Sequence, residues 1–375
     1  MKYGLLCACS LLILPATVCA EDITTLASHA FLMDADTGFV MLNKNADEPM
    51  PPASMSKLMT AYMIFDALKK GEYTLDSEFI VSDNAWKKGG AKTGSSTMFL
   101  NPNQRVKLKD LLRGIIVQSG NDACIVAAEN MAGTEDAFAN LMTAKAKQLG
   151  LQNAVFKNAT GLPDPEHLIS AHDLARLARR LIQDFPEYYP IYSEKEFTYN
   201  KIKQGNRNPL LYSMPGVDGL KTGHTSKSGY GLTGSMKTYD GRRLIMVVNG
   251  LKSMDERAQE SKKIMSWGIA AFENLDVLDP TKIQVDVPVW LGTSPNVSAG
   301  PAKKLVATVA RGETPNIKSV IKYDSPVVAP IAQGQKLGTI YTYLDDGNKV
   351  ETDLVAMQSV EKVGFIGKLK ALLHL

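Results

Sequence analysis

Cysteine is scarce in this sequence and badly placed for a disulfide framework. Only four of 375 residues are Cys; Cys7, Cys9 and Cys19 crowd the beginning, which leaves Cys124 alone in the body of the chain. The fold therefore cannot lean on internal disulfides, and Cys124, within the apolar helical run CIVAAENM, reads as a packing thiol. A large excess of one charge is also missing. Lys plus Arg number 42 against 39 Asp plus Glu, a net +3, which excludes the basic field that a nucleic-acid binder needs. The five histidines have no paired spacing with acids, so no zinc site is expected, and no cofactor is called for. Internal repeats and low-complexity segments are absent. What is present is a 45% hydrophobic composition, ample for packed cores, over a length that suggests about two domains.

The opening MKYGLLCACSLLILPATVCA has Lys2, an apolar run from Gly4 to Leu14, Pro15, and small residues at Ala16 and Ala20. This is the pattern of a secretory signal peptide over 1–20, cut before Glu21, and it is too short for a lasting transmembrane helix. A lipoprotein alternative would acylate Cys19, but Val18 before it is bulky for such a site. The chain is thus expected to be exported.

Two short strands are expected between Ala30 and Leu42, joined at Asp34-Ala35-Asp36-Thr37-Gly38. A helix then runs from about Ser54 to Lys70, apolar on more than one side and so buried. Further helical patterns occupy 107–118, 121–131, 135–149 and 171–183. Afterwards the period changes to that of an antiparallel meander, through GLKTGHT, YGLTGSMKT and RRLIMVVNGL, closed by a helix at about 254–273. This is an α+β domain, 21–278. Residues 281–358 show only short alternations such as IQVDVPVWL, KLGTIYTYL and ETDLVAM, as in a small all-β sandwich. In the tail, 359–375, Phe365, Ile366, Leu369, Leu372 and Leu373 would share one helical face, with Lys368, Lys370 and His374 off it. Such a helix can lie on a membrane surface or dock on the protein itself.

Three short motifs suggest chemistry. In Ser54-Met55-Ser56-Lys57 the first and last residues share a helix face, so the lysine amine can approach the serine hydroxyl. Serine needs a base to become a nucleophile, and lysine serves once burial or another cation depresses its pKa. Ser56 faces elsewhere. Ser119-Gly120-Asn121 breaks two helical patterns and puts two polar side chains on a turn; the structural alternative is an N-cap. Lys221-Thr222-Gly223-His224 lies in a strand-like run, where Gly223 leaves room for a substrate backbone. Lys92-Thr93-Gly94 spells the same tripeptide in a Gly-rich loop, but only a strand can offer its edge to an extended peptide.

Taken in that order, these motifs resemble the penicillin-recognising serine enzymes, which comprise the penicillin-binding proteins and the serine β-lactamases. The stretches PPASMSKLMTAY, GSSTMFL, QSGNDACI and GLKTGHT are most similar to the low-molecular-mass D-alanyl-D-alanine carboxypeptidases of the penicillin-binding protein 5 and 6 type, serine peptidase family S11. The likeness covers essentially the whole chain. It implies a β-lactamase/transpeptidase-like catalytic domain, a C-terminal β domain and an amphipathic membrane-associating helix. It implies peptidoglycan stem peptides ending in D-Ala-D-Ala as substrate, β-lactams as covalent inhibitors, and a location at the periplasmic face of the inner membrane. By the same resemblance Ser54 is the nucleophile, Lys57 its base, and Ser119 with Lys221 a proton path. Asn121 holds the substrate amide, the amides of Ser54 and His224 form an oxyanion hole, and Thr222 beside Lys221 binds the terminal carboxylate. Arg257 matches an arginine near that carboxylate but could be a surface charge; Asp173 borders the site loop or caps a helix. A β-lactamase would carry E-x-x-L-N before K-T-G, and PEHLISAHD lacks it.

Overall fold

The computed structural model describes residues 23–344 and 347–364, and these divide into two compact units, 23–270 and 271–364. The expected signal peptide, and the tail from Phe365 on, lie outside the described residues. Among the described residues no helix is long and apolar enough to cross a membrane.

The first unit is built on an antiparallel sheet of five strands: β1 (His29–Asp34), β2 (Val40–Lys44), β3 (Val217–Thr225), β4 (Gly229–Lys237) and β5 (Arg243–Leu251), in the order β2-β1-β5-β4-β3. The β1–β2 turn forms because the buried Asp34 Oδ1 accepts hydrogen bonds from the Asp36 and Thr37 amides, both 2.9 Å, and Gly38 takes the left-handed conformation at φ +81°. The runs AFLM of β1 and LIMVV of β5 are continuously apolar because both faces of the sheet are covered. Phe31, Met33, Ile245 and Val247 face a helical core; Ala30, Leu32, Met246 and Val248 face Ile264 and Met265 of the last helix, α7 (Met254–Ala271).

The helical core contains α1 (Lys57–Lys69), α2 (Asp83–Gly89), α3 (Leu108–Ile116), α4 (Asn121–Ala132), α5 (Glu135–Gln148) and α6 (Ala171–Asp184). Helix α1 is buried on all sides; Leu58, Met59, Ile64 and Phe65 are fully inaccessible. Each such side chain contributes about 1.5–3 kcal/mol of burial, which offsets the cost of taking Lys57 out of water on the same helix. The expected helix start at Ser54 is instead a 3₁₀ turn, Ala53–Ser56. Helix α2 is absent from the sequence expectation, because WKKGG gives it hardly one apolar face; Ser82 caps it.

In the second unit no helix occurs among the described residues. Its strands are β6 (Phe272–Leu278), β7 (Val285–Trp290), β8 (Asn296–Pro301), β9 (Leu305–Ala310), β10 (Lys318–Tyr323), β11 (Val327–Val328), β12 (Lys336–Tyr343) and β13 (Lys349–Ala356). They form a pair, β6-β9, and a sheet ordered β10-β12-β13-β8-β7-β11. The core is made of Val287, Val297, Ile340 and Leu354. Residues at the start of the expected tail helix are extended: Val360 bridges Ile331, and the Val363 amide donates to the Leu291 carbonyl at 2.9 Å.

Candidate active site

The turn before α1, the start of α4, the start of α7 and one sheet edge converge on a cleft of about 510 Å³, lined by Ser54, Ser119, Asn121, Arg207, Thr222 and Arg257 among others, with no acidic residue among the described residues that line it. Ser54 sits on the 3₁₀ turn after Ala53, which holds φ +49°, and Ser119 holds φ +60°. Left-handed backbone at a non-glycine residue costs about 1–3 kcal/mol and persists where the surroundings enforce it. Here it brings Ser54 and Ser119 to the lining of one cavity. Neither Ser119 nor Asn121 caps α4: the N-cap position is Gly120, without a side-chain bond.

Lys57 is 1% exposed. Its Nζ lies 2.9 Å from Ser54 Oγ, 2.7 Å from Asn121 Oδ1 and 2.6 Å from the Thr160 carbonyl. Burial, with a contribution from the Arg207 charge, lowers its pKa to about 8. When the amine is neutral it has two N–H bonds and one lone pair. Asn121 Oδ1 and Thr160 O can only accept, so they take the two protons and the lone pair is left facing Ser54. Asn121 is itself held by donating from Nδ2 to Ser95 Oγ at 3.0 Å.

Lys221, 3% exposed on β3, is also held well below the usual lysine range by burial and then by the Lys57 and Arg207 charges. A proton on Lys57 thus disfavours one on Lys221. Cys124, fully buried behind them, has its thiol pushed up to about 12 by burial, so it stays neutral, in keeping with a packing role.

Strand β3 is an edge of the sheet among the described residues, and Thr222, Gly223 and His224 line the cleft. Gly223 serves differently from the expectation. A Cβ there would lie 2.6 Å from the Pro52 carbonyl and 3.3 Å from Ala53 Cβ, so the missing side chain makes room for the Ser54 turn rather than for substrate. Gly223→Ala is expected to cost about 1–3 kcal/mol by overpacking, which urea unfolding measures.

The other K-T-G falls in the 3₁₀ turn Ala91–Thr93, with Lys92 over the Trp86 ring at 4.8 Å. The serines just beyond it matter more: Ser95 and Ser96 line the cleft, and Ser96 accepts from Arg207. The segment is pinned by the buried Asp122, whose carboxylate accepts from Thr97 Oγ1 at 2.7 Å and the Met98 amide at 2.8 Å. Thr160, Arg207, Ser95 and Asp122 are absent from the sequence expectation; only the position of Asp122 directly after Asn121 offers a signal.

Ser56 does face away from the cleft. His167 Nδ1 accepts from the Lys157 amide at 3.2 Å, so Nε2 carries the proton and donates to Ser56 Oγ at 2.8 Å. Burial lowers the pKa of His167 to about 4. Between the unfolded value of 6.5 and about 4 the unfolded chain binds the extra proton, so folding stability falls as pH drops through that window, by about 3 kcal/mol. Urea unfolding across pH 4–7 should show this slope, and His167→Gln should flatten it. Asp173 neither caps α6, which Ser170 does, nor lines the cleft; it accepts from the Asn153 amide at 2.6 Å.

The family model described as D-alanyl-D-alanine carboxypeptidase, peptidase S11, matches residues 16–253, and that of the penicillin-binding protein 5 C-terminal domain matches 272–362. The chain belongs to the D-alanyl-D-alanine carboxypeptidase family. It is 42% identical to the D-alanyl-D-alanine carboxypeptidase DacC of Escherichia coli K12 over 90% of this chain and 85% of that one. Against DacA of the same organism identity is 40%, over 92% and 86%. Among solved structures, penicillin-binding protein 5 from Haemophilus influenzae superposes with a TM-score of 0.78 at 38% identity, covering 91% of this chain and 99% of that one. The resemblance drawn from the motifs is met over the catalytic domain and the C-terminal β domain of the family, which this carboxypeptidase carries.

Proposed function

We propose that this carboxypeptidase removes the terminal D-alanine from peptidoglycan stem peptides through an acyl-enzyme on Ser54. The observation that carries the reading is the Lys57 amine, 2.9 Å from Ser54 Oγ, with its other partners confined to acceptors. A stem peptide lies along the β3 edge. Its terminal carboxylate meets Thr222, Lys221 and Arg257, which suits a cleft bordered by arginines and free of acids. Lys57 takes the Ser54 proton as Oγ attacks the penultimate carbonyl, and the amides of Ser54 and His224 receive the oxyanion. Asn121 holds the substrate amide. Ser119 and Lys221 pass a proton to the departing D-alanine nitrogen, and water then releases the shortened peptide. Ser119 lines the same cleft as Ser54, which suits it to that relay.

β-Lactams would acylate the same serine. Penicillin-binding protein D2 from Listeria monocytogenes, solved with ampicillin and with cefotaxime bound, is 28% identical over 66% of this chain, with a TM-score of 0.57. The missing carboxylate in the cleft favours slow deacylation, against a β-lactamase reading. We place the enzyme outside the cytoplasmic membrane, at its periplasmic face, exported by residues 1–20 and peripherally attached through the 359–375 tail. Its trimming would serve wall maturation and cell shape. The test is incubation with a D-Ala-D-Ala pentapeptide and mass measurement: a tetrapeptide plus free D-alanine is expected, whereas an intact pentapeptide, or rapid turnover of penicillin, overturns the assignment.

A further inference from the structure

Among the described residues no acid pairs with the buried cation Arg257. It is 7% exposed, its Nε has no hydrogen-bond partner, and no carboxylate lines the cleft it borders. Burying a guanidinium unpaired is costly. The group in contact with it is the ring of Tyr230, with 5.8 Å from Cζ to the ring centroid, and a desolvated cation gains from such a ring.

The place of Tyr230 is set by the sheet. It stands directly opposite His224 in the β3–β4 ladder, so both side chains leave the same face. Their rings stack, with centroids 3.8 Å apart and planes 23° from parallel. Gly229 before it takes φ +65°, and the β4–β5 register shifts between Tyr230 and Leu232. A bulge of this kind re-aims a side chain, and bulges gather next to active sites. One rigid ring thus touches a residue of the edge strand that lines the cleft and a cation on α7.

We propose that Tyr230 is a positioning residue that sets the distance between the carboxylate site at Arg257 and the acylation site, and so enforces selection for a free C-terminal carboxylate. The proposal rests on the reading that Arg257 binds the terminal carboxylate. A guanidinium held by a ring and by no protein acid among the described residues keeps its terminal N–H groups for the ligand. A ring clamped by His224 cannot drift, so the bound carboxylate is fixed relative to the strand edge.

The experiment compares hydrolysis of a D-Ala-D-Ala peptide with that of the same peptide as its C-terminal amide, in the full mature protein and in Y230L, Y230F and R257Q. Losing the ring is expected to lower the acid-to-amide ratio of kcat/KM about tenfold, mostly through KM of the acid. Y230F should restore the ratio, because the π face and not the hydroxyl does the holding. A merely structural role would lower both substrates together and leave the ratio fixed. If R257Q collapses the ratio and Y230L does not, the role of Tyr230 is overturned while the carboxylate reading stands. If R257Q leaves the ratio unchanged, the carboxylate reading itself fails and the proposal with it. Y230I, whose branched side chain suits a strand, gives the same comparison if Y230L does not fold.

Discussion

Replacing Ser54 by alanine is expected to abolish covalent penicillin labelling and to lower D-alanine release by at least ~10⁴-fold, the loss that follows from removing the proposed nucleophile of an acyl-transfer site. The reason lies in what each hydroxyl in the cleft can reach. Ser54 and Ser119 both line it, but only Ser54 Oγ is hydrogen-bonded to Lys57 Nζ. Ser56, next to the base in sequence, is turned to His167 at 2.8 Å and is fully buried. The folded state should barely notice the change, since Ser54 Oγ has Lys57 as its hydrogen-bond partner and Lys57 keeps Asn121 and Thr160. Intact-protein mass after penicillin treatment, with urea unfolding as the control, decides the matter. An adduct persisting on a well-folded S54A protein moves the nucleophile to Ser119.

The parts of this molecule that can be read from sequence are those set by local patterning. The buried helix α1 and strands β3 to β5 follow from apolar periodicity, and the order of Ser54, Lys57, Ser119, Asn121 and Lys221 points to one site. Strand β6 escapes because FENLDVL is only partly buried and follows a helix without a break. Strand β8, NVSAGP, has too few apolar residues for an alternation to register. Within the site, Thr160 acts through a backbone carbonyl, which no side-chain pattern can announce. It reaches Lys57 because Asn158 Oδ1 folds the loop back, accepting from the Gly161 amide at 2.7 Å, and because Gly161 at φ +79° has no side chain to strike Ala53. Gly223 reads as a gap for substrate for a related reason: sequence shows the missing side chain, and only the fold shows what fills the space.

Lys57→Ala should cost nearly as much as loss of the nucleophile, about 10³–10⁴-fold in acylation, within the range that a positioned base that also binds its nucleophile supplies. The pH dependence distinguishes a base from a mere hydrogen-bond donor. With a pKa lowered to about 8 by burial, Lys57 is mostly protonated at neutral pH, and only the neutral fraction can accept the Ser54 proton. The second-order acylation rate by penicillin should therefore rise with pH and level off above about 8. Had Lys57 acted as an ammonium donating to Ser54, the rate would fall through the same range. Asn121 and Thr160 sharpen the contrast, since they accept the two remaining N–H bonds and point the lone pair at Oγ. Asn121→Ala frees one of those protons to turn toward Ser54, and the ammonium loses one acceptor. The inflection should then move to lower pH while the plateau drops, a pair of changes that a loss of packing alone does not produce. Lys57→Arg tests the chemistry from the other side: it keeps the charge but cannot deprotonate, so its acylation should stay near that of Lys57→Ala at every pH.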